Sequence, residues 1–266
     1  MHGGVEDLGD RGAVEDIASG PGGLTGRGEE SEPGHTERLG VRGDRRFGCS
    51  GGQDPRRRSP REFPRGTVGA VTHMLLVRHG QSEWNATGRW QGSADPDLTE
   101  LGRRQALHAA PRIGAIDVII ASPLMRALET AQIIGAQLGV GPVVVEADLA
   151  ERDAGEWEGL TRAEIEQEWP GYLGNDRWPP GYEGHEALMS RVRGALDRIE
   201  AEYRGAELLV LTHGGVIGAL ERDSGLPWER MPNLGARRVI HHGGHLEIGE
   251  RLVLVDDAEL TIPNQI

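Results

Sequence analysis

Short apolar runs that end in polar residues recur along the chain from about residue 72 onward. HMLLVRH (73–79), AIDVIIAS (115–122) and AELLVLTH (206–213) have this form. They lack the polar–apolar alternation of a half-exposed strand, so they read as parallel strands buried on both faces. VVVEA (143–147) and RLVLVDD (251–257) are further strand candidates. Helical patterns lie between them. Ser122 suits an N-cap, Pro123 the first helical position and Gly139 the stop. Between these signals Leu124, Leu128, Ala131, Ile134 and Leu138 recur on one face. Thr161 and Glu164 have the spacing of a capping box opening a second helix. Leu188, Val192, Leu196, Ile199 and Tyr203 form the apolar stripe of a third. Strands alternating with helices predict an α/β fold: a single domain over 72–266, with a mostly parallel sheet and helices on both faces.

Residues 1–71 break this pattern. They carry no apolar periodicity, are rich in glycine, and change from acidic over 1–40 to basic over 41–70. Such a segment buries too little apolar surface to offset its ordering entropy, and it reads as a disordered extension. Its DPRRRSPREFPR stretch suits an acidic partner. The plainer reading is a dispensable extension, or upstream sequence ahead of a start at Val71 or Met74.

Composition narrows the chemistry. All 29 basic residues are arginine, which removes lysine Schiff bases and a phosphate-loop lysine from consideration. Net charge is −13, so general nucleic-acid binding is not expected and any anion site must be a local arginine cluster. Cys49 is the only cysteine, leaving no intramolecular disulfide and no multi-cysteine metal site. No apolar run is long enough to cross a bilayer, and the acidic, glycine-rich start does not resemble a secretory leader. A cytoplasmic location without membrane association is expected; the oligomeric state stays open.

The strand ends bring the polar residues together. Arg78 and His79 close the first strand, Ser122 and Arg126 follow the second, and Thr212 and His213 close the third. Ligands of open parallel sheets bind at the carboxyl ends of the strands. Gly214 and Gly215 open a helix there, whose free N–H groups favour an anion. Two arginines, two histidines and helix N-termini fit a phosphate pocket better than a carboxylate or sugar site. His241, His242 and His245 surround Gly243 and Gly244 and read as a hairpin turn, not a metal site.

VRHGQSEWN (77–85), SPLMRALETA (122–131), LAERDAGEWEGLT (149–161) and LTHGG (211–215) together resemble, in order, the four signature blocks of the histidine phosphatase superfamily. The resemblance spans roughly 73–220 and implies a phosphoglycerate mutase-like fold. It also implies roles. His79 would be the nucleophile that becomes phosphohistidine, and Arg78, Arg126 and His213 would bind the transferring phosphoryl group. Asn85 and the backbone of Gly214 would hold the phosphate, and Glu151 would be the proton donor, ahead of its neighbours Glu156 and Glu158. Ser82 reads as a turn or phosphate-lip residue. That acid role asks for a partly enclosed site. No metal or other cofactor is expected, and the substrate would be a small phosphorylated metabolite.

Within the family the acid block ERDAGEWEG is closer to the phosphatase branch. The resemblance thus implies phosphomonoester hydrolysis. The alternative is a mutase-type transfer between substrate hydroxyls; a non-catalytic phospholigand-binding relative would lack some of these residues. The stretch WPGYLGNDRWPPGYEG (169–184) reads as a loop overhanging the pocket. Where relatives commonly carry Gly-Glu-Ser before the long helix, this chain has Gly184, His185 and Glu186.

Overall fold

The structure is a computed structural model and describes residues 70–264. The expectation for 1–71 therefore lies, except for its last two residues, outside the described residues. Six strands form one mixed sheet: β1 (Thr72–Arg78), β2 (Val118–Ala121), β3 (Val144–Val145), β4 (Glu207–Thr212), β5 (Gly235–His242) and β6 (His245–Val253), in the order β3-β2-β4-β1-β5-β6. β3, β2, β4 and β1 run parallel, whereas β5 pairs antiparallel with both β1 and β6.

The uninterrupted apolar runs reflect burial on both faces. From β1, Met74 and Leu76 enter one core with Leu208 and Val210, beneath α5 (His185–Glu202) and α6 (Gly214–Asp223). Leu75 and Val77 enter the opposite core with Leu209 and Leu211, beneath α2 (Glu100–Ile113) and α3 (Met125–Leu138). Leu76 and Leu208 are fully buried, each worth about 1.5–3 kcal/mol relative to exposure. Helices thus cover both faces, as the alternation predicts.

Local signals fare unevenly. The capping box of Thr161 and Glu164 opens α4 (Arg162–Glu168), and Gly139 closes α3 in the left-handed conformation at φ 66°. Gly243 and Gly244, at φ 57° and 81°, make the two-residue β5–β6 turn, a geometry that needs positive φ at both positions. Ser122, however, is not the N-cap of α3. The helix begins two residues later than its Ser-Pro signal, with Leu124 at the N-cap position and no side-chain cap of its own. Both carboxylate oxygens of Asp95 instead accept from the Met125 N–H, at 2.8 and 2.9 Å. Ser122 is engaged elsewhere, in the site described below. α1 (Glu83–Thr87), α2 and β5 carried no sequence signal strong enough to be read, and β6 starts well before the run that announced it.

Candidate active site

β1 and β4 are parallel neighbours in register, with Arg78 opposite Thr212. The residues that follow them therefore emerge side by side, and the rings of His79 and His213 lie 5.2 Å apart at 60°. Both are buried, His79 at 1 % exposure and His213 at 0 %. His79 Nδ1 is 2.7 Å from the Gly80 carbonyl oxygen. A carbonyl only accepts, so Nδ1 carries the proton and Nε2 keeps its lone pair. The position of the ring is fixed further by its backbone: the His79 N–H donates to Thr212 O at 3.1 Å, and Asn233 Nδ2 donates to His79 O at 3.0 Å.

Two guanidiniums border the imidazoles. Arg126 is fully buried and donates to the carbonyls of Ala94 (2.5 Å) and Gly92 (2.9 Å), with Asp95 at 3.7 Å. Arg78 donates to Met231 O at 2.5 Å and lies against Gly214, where a Cβ would come within 3.2 Å of its Cζ. Burial, opposed by the charge of Glu151, lowers both arginines to about 10, so both stay charged at neutral pH. Burial first, then Arg126 and Arg78, holds His79 well below the usual histidine range. Burial, then Arg126, His79 and Arg78, does the same to His213. The site holds two neutral imidazoles beside two cations. Three buried nitrogens in it, Arg78 Nε, Arg126 Nε and His213 Nδ1, have no hydrogen-bond partner; the two guanidinium N–H groups are donors that suit an anion.

Glu151 seats on the start of α6, at Gly215, two residues after His213. Its Oε2 accepts from the Gly215 N–H at 3.1 Å and its Oε1 from the Arg152 N–H at 2.8 Å. A Cβ on Gly215 would lie 2.3 Å from Glu151 Oε1, so only glycine lets the carboxylate rest on the N-terminus of α6. The loop carrying Glu151 is braced by Arg191 of α5. That guanidinium donates to the carbonyls of Asp148, Ala150 and Glu151 and grips the Glu183 carboxylate at 2.7 Å on both arms. Of the two other acids of the block, Glu156 is exposed, and Glu158 accepts from Ser93 Oγ and the Ala94 N–H.

A cavity of about 670 Å³ opens above this floor. Arg78, Glu151 and Gly214 line it; His79, Arg126 and His213 are buried and are not in its lining. Ser82, read as a turn or phosphate-lip residue, and Asn85, expected at the phosphate, lie just after His79. Ser82 caps α1 and donates to Gln91 Oε1 at 2.7 Å, while Asn85 Oδ1 accepts from Asn233 Nδ2 at 3.0 Å. Both brace the loop after His79 and, like His79 itself, are absent from the cavity lining. Ser122 Oγ lies 2.7 Å from His213 Nε2, which is the contact that takes it away from helix capping. The 169–184 stretch supplies a cavity wall through Trp178 and Tyr182, and His185, at the departure from the Gly-Glu-Ser pattern, lines it as well. His241 is paired with Asp197 at 2.8 Å. Among the described residues no group of three or more His, Cys, Asp or Glu is arranged to hold a metal ion.

Asn233, Arg191, Asp95 and Gln91 were not legible as site residues. Each acts by reaching across the fold to a backbone group or side chain distant in sequence, so no local spacing marks it.

Two histidines and two arginines gather at the carboxyl ends of the parallel strands of an α/β sheet. The chain belongs to the histidine phosphatase superfamily (branch 1), whose profile matches residues 74–242. A bifunctional protein of Mycobacterium tuberculosis is 41% identical over 158 residues, 56% of this chain and 43% of its own length. The chain thus spans less than half of that relative. A metal-independent phosphoserine phosphatase of Arabidopsis thaliana is 38% identical over 160 residues, covering 56% of this chain and 67% of the relative. Among solved structures, a mycobacterial glucosyl-3-phosphoglycerate phosphatase superposes with a TM-score of 0.61 at 28% identity, over 67% of this chain and 97% of that one. Among the described residues no helix is long and apolar enough to cross a membrane.

Proposed function

We propose that residues 72–266 form a catalytic domain that hydrolyses small phosphomonoesters through a phosphohistidine on His79. One observation carries this reading: the His79 ring is held neutral beside two charged guanidiniums, with Nδ1–H bound to Gly80 O and Nε2 left as the nucleophile. The names of the relatives, phosphatases of phosphoserine and of glucosyl-3-phosphoglycerate, support the same reaction class.

In the first step His79 Nε2 attacks phosphorus and the P–O bond to the alcohol breaks. Glu151 is the residue placed to hand a proton to the departing oxygen. Arg78, Arg126 and His213 face the charge on the equatorial oxygens, where positioning and electrostatics supply most of the rate. In the second step water attacks the phosphohistidine, Glu151 takes the water's proton, and inorganic phosphate leaves with the imidazole restored. A cytoplasmic setting belongs to the same reading, supported by the single cysteine of the chain.

The test is release of inorganic phosphate from a panel of phosphorylated metabolites, by wild type and by His79→Ala, with and without EDTA and 2,3-bisphosphoglycerate. Hydrolysis that His79→Ala abolishes and EDTA leaves untouched is expected. Activity surviving the substitution contradicts the mechanism. Phosphate transferred to a second hydroxyl, only with the bisphosphate present, favours the mutase alternative.

A further inference from the structure

The buried face of α2 is made of Gly102, Gln105, Ala106, Ala109, Ala110 and Ile113, and Gln105 is its one polar side chain. It is fully buried, and a buried amide is costly unless its donors and its acceptor are all engaged. Here they are engaged around the nucleophile. Gln105 Oε1 accepts from the Gln81 N–H at 2.8 Å. That N–H belongs to the same planar peptide as the Gly80 carbonyl, and in a trans peptide the two groups point in opposite directions. The far end of the peptide is the oxygen that meets His79 Nδ1 at 2.7 Å. Gln105, the peptide and the imidazole therefore form one hydrogen-bonded chain, in which the bond at the N–H also strengthens the carbonyl as an acceptor.

A close backbone approach makes this reach possible. A Cβ on Gly80 would lie 2.5 Å from Gly102 O, and one on Gly102 would lie 2.1 Å from Gln81 O. The glycine pair lets α2 press on the loop after His79, and Gln105 follows Gly102 by three residues on the same helix face.

The segment after β6 decides which way the amide points. Gln105 Nε2 donates to Glu259 O at 2.7 Å and to Thr261 Oγ1 at 3.0 Å. A carbonyl only accepts, so the nitrogen must face Glu259 and the oxygen is left for Gln81. Thr261 Oγ1 then donates to Asn233 Oδ1 at 2.9 Å, which turns Asn233 Nδ2 toward His79 O. The Gly80 N–H, on the peptide whose oxygen Asn233 holds, donates to Thr130 Oγ1 at 3.1 Å. Both peptides beside Gly80 are thus held at each end.

We propose that Gln105 is a positioning residue for the nucleophile: keyed by Glu259 and Thr261, it aims the Gly80 carbonyl that keeps the proton on His79 Nδ1 and leaves Nε2 free to attack. This rests on the phosphohistidine reading of His79.

The test uses the full chain and two readouts, NMR of the ring nitrogens in isotope-labelled histidine and steady-state hydrolysis of p-nitrophenyl phosphate. The His79 resonances, assigned by their loss in His79→Ala, are expected to show Nδ1 protonated and Nε2 bare. Gln105→Met keeps the side-chain length and removes both polar ends. It is expected to mix the two tautomers and lower kcat about 10–100-fold, with KM changed less than about threefold because the arginines are untouched. Thr261→Val, at a half-buried position, removes the key from both amides; a smaller fall in kcat, about 3–10-fold, is expected, and Thr261→Ser should restore it. A role in packing alone lowers Tm without moving the tautomer. Either variant, folded and with wild-type tautomer and kcat, overturns the positioning role, as does a wild-type His79 protonated on Nε2. A tautomer shift in Gln105→Met, in a chain whose hydrolysis survives His79→Ala, keeps the positioning and overturns the phosphohistidine reading. Hydrolysis that His79→Ala abolishes and Gln105→Met leaves unchanged does the reverse.

Discussion

Lowering the pH from 7.5 to 5.5 should destabilise this fold by an amount set by two buried rings. His79 and His213 are held neutral by burial and by the cations Arg126 and Arg78, with pKa values well below the ordinary 6.5. In the unfolded chain both rings regain that value and take up protons as the pH falls through it. The unfolded state then binds more protons than the folded one, so stability is lost as pH falls and is complete above about 6.5. For a ring that stays neutral in the fold throughout this window, the loss is about 1.4 kcal/mol, or about 2.7 kcal/mol for the pair. That is a large fraction of a typical 5–15 kcal/mol stability. Urea denaturation at the two pH values, at constant ionic strength, reads it directly. The histidines of the surface contribute equally to wild type and variant, so His213→Asn isolates one member of the buried pair. The depression of His79 draws on burial, Arg126 and Arg78 and not on His213, so this variant should lose about 1.4 kcal/mol over the same interval. A variant losing as much as the wild type, or a wild type equally stable at both pH values, would refute the reasoning.

Gly215→Ala should separate catalysis from stability: the added Cβ, 2.3 Å from Glu151 Oε1, displaces the acid, while alanine suits a helix better. A fall in kcat of about 100-fold with an unchanged or higher Tm is expected, and unchanged kcat would show that the carboxylate does not need that seat. Arg191→Met removes the brace on the acid loop and leaves Glu183 unpaired; a loss of about 2–4 kcal/mol in urea denaturation and a fall in kcat should appear together. Glu151→Gln should slow alkyl phosphates about 100-fold more than p-nitrophenyl phosphate, because a good leaving group needs no proton; equal loss on both assigns the acid elsewhere.

Much of this architecture was legible because parallel strands buried on both faces announce themselves as apolar runs, and because the reactive residues follow those runs directly. Arg78, His79, Thr212 and His213 were found by position at strand ends, and the β1–β4 register then sets them side by side. What stayed hidden depends on contacts across the fold. Ser122 looked like a helix cap because Ser-Pro is a good local signal, yet its hydroxyl meets His213 and Asp95 caps the helix from 30 residues away. Ser82, read as a turn or phosphate-lip residue, caps α1 and meets Gln91, and Asn85, expected at the phosphate by resemblance, meets Asn233; neither partner was marked by local spacing. β5 escaped notice because Arg237 and Arg238 interrupt its apolar pattern; Arg237 pairs with buried Glu221 instead of facing solvent.

The most direct test of the central claim is to trap the enzyme during turnover. Rapid acid-free quenching with a radiolabelled phosphomonoester, followed by peptide mapping, should recover label on the peptide containing His79, stable to base and labile to acid. No label is expected with His79→Ala. Label on another residue, or steady hydrolysis with no phosphoenzyme at any quench time and undiminished turnover in His79→Ala, would contradict it.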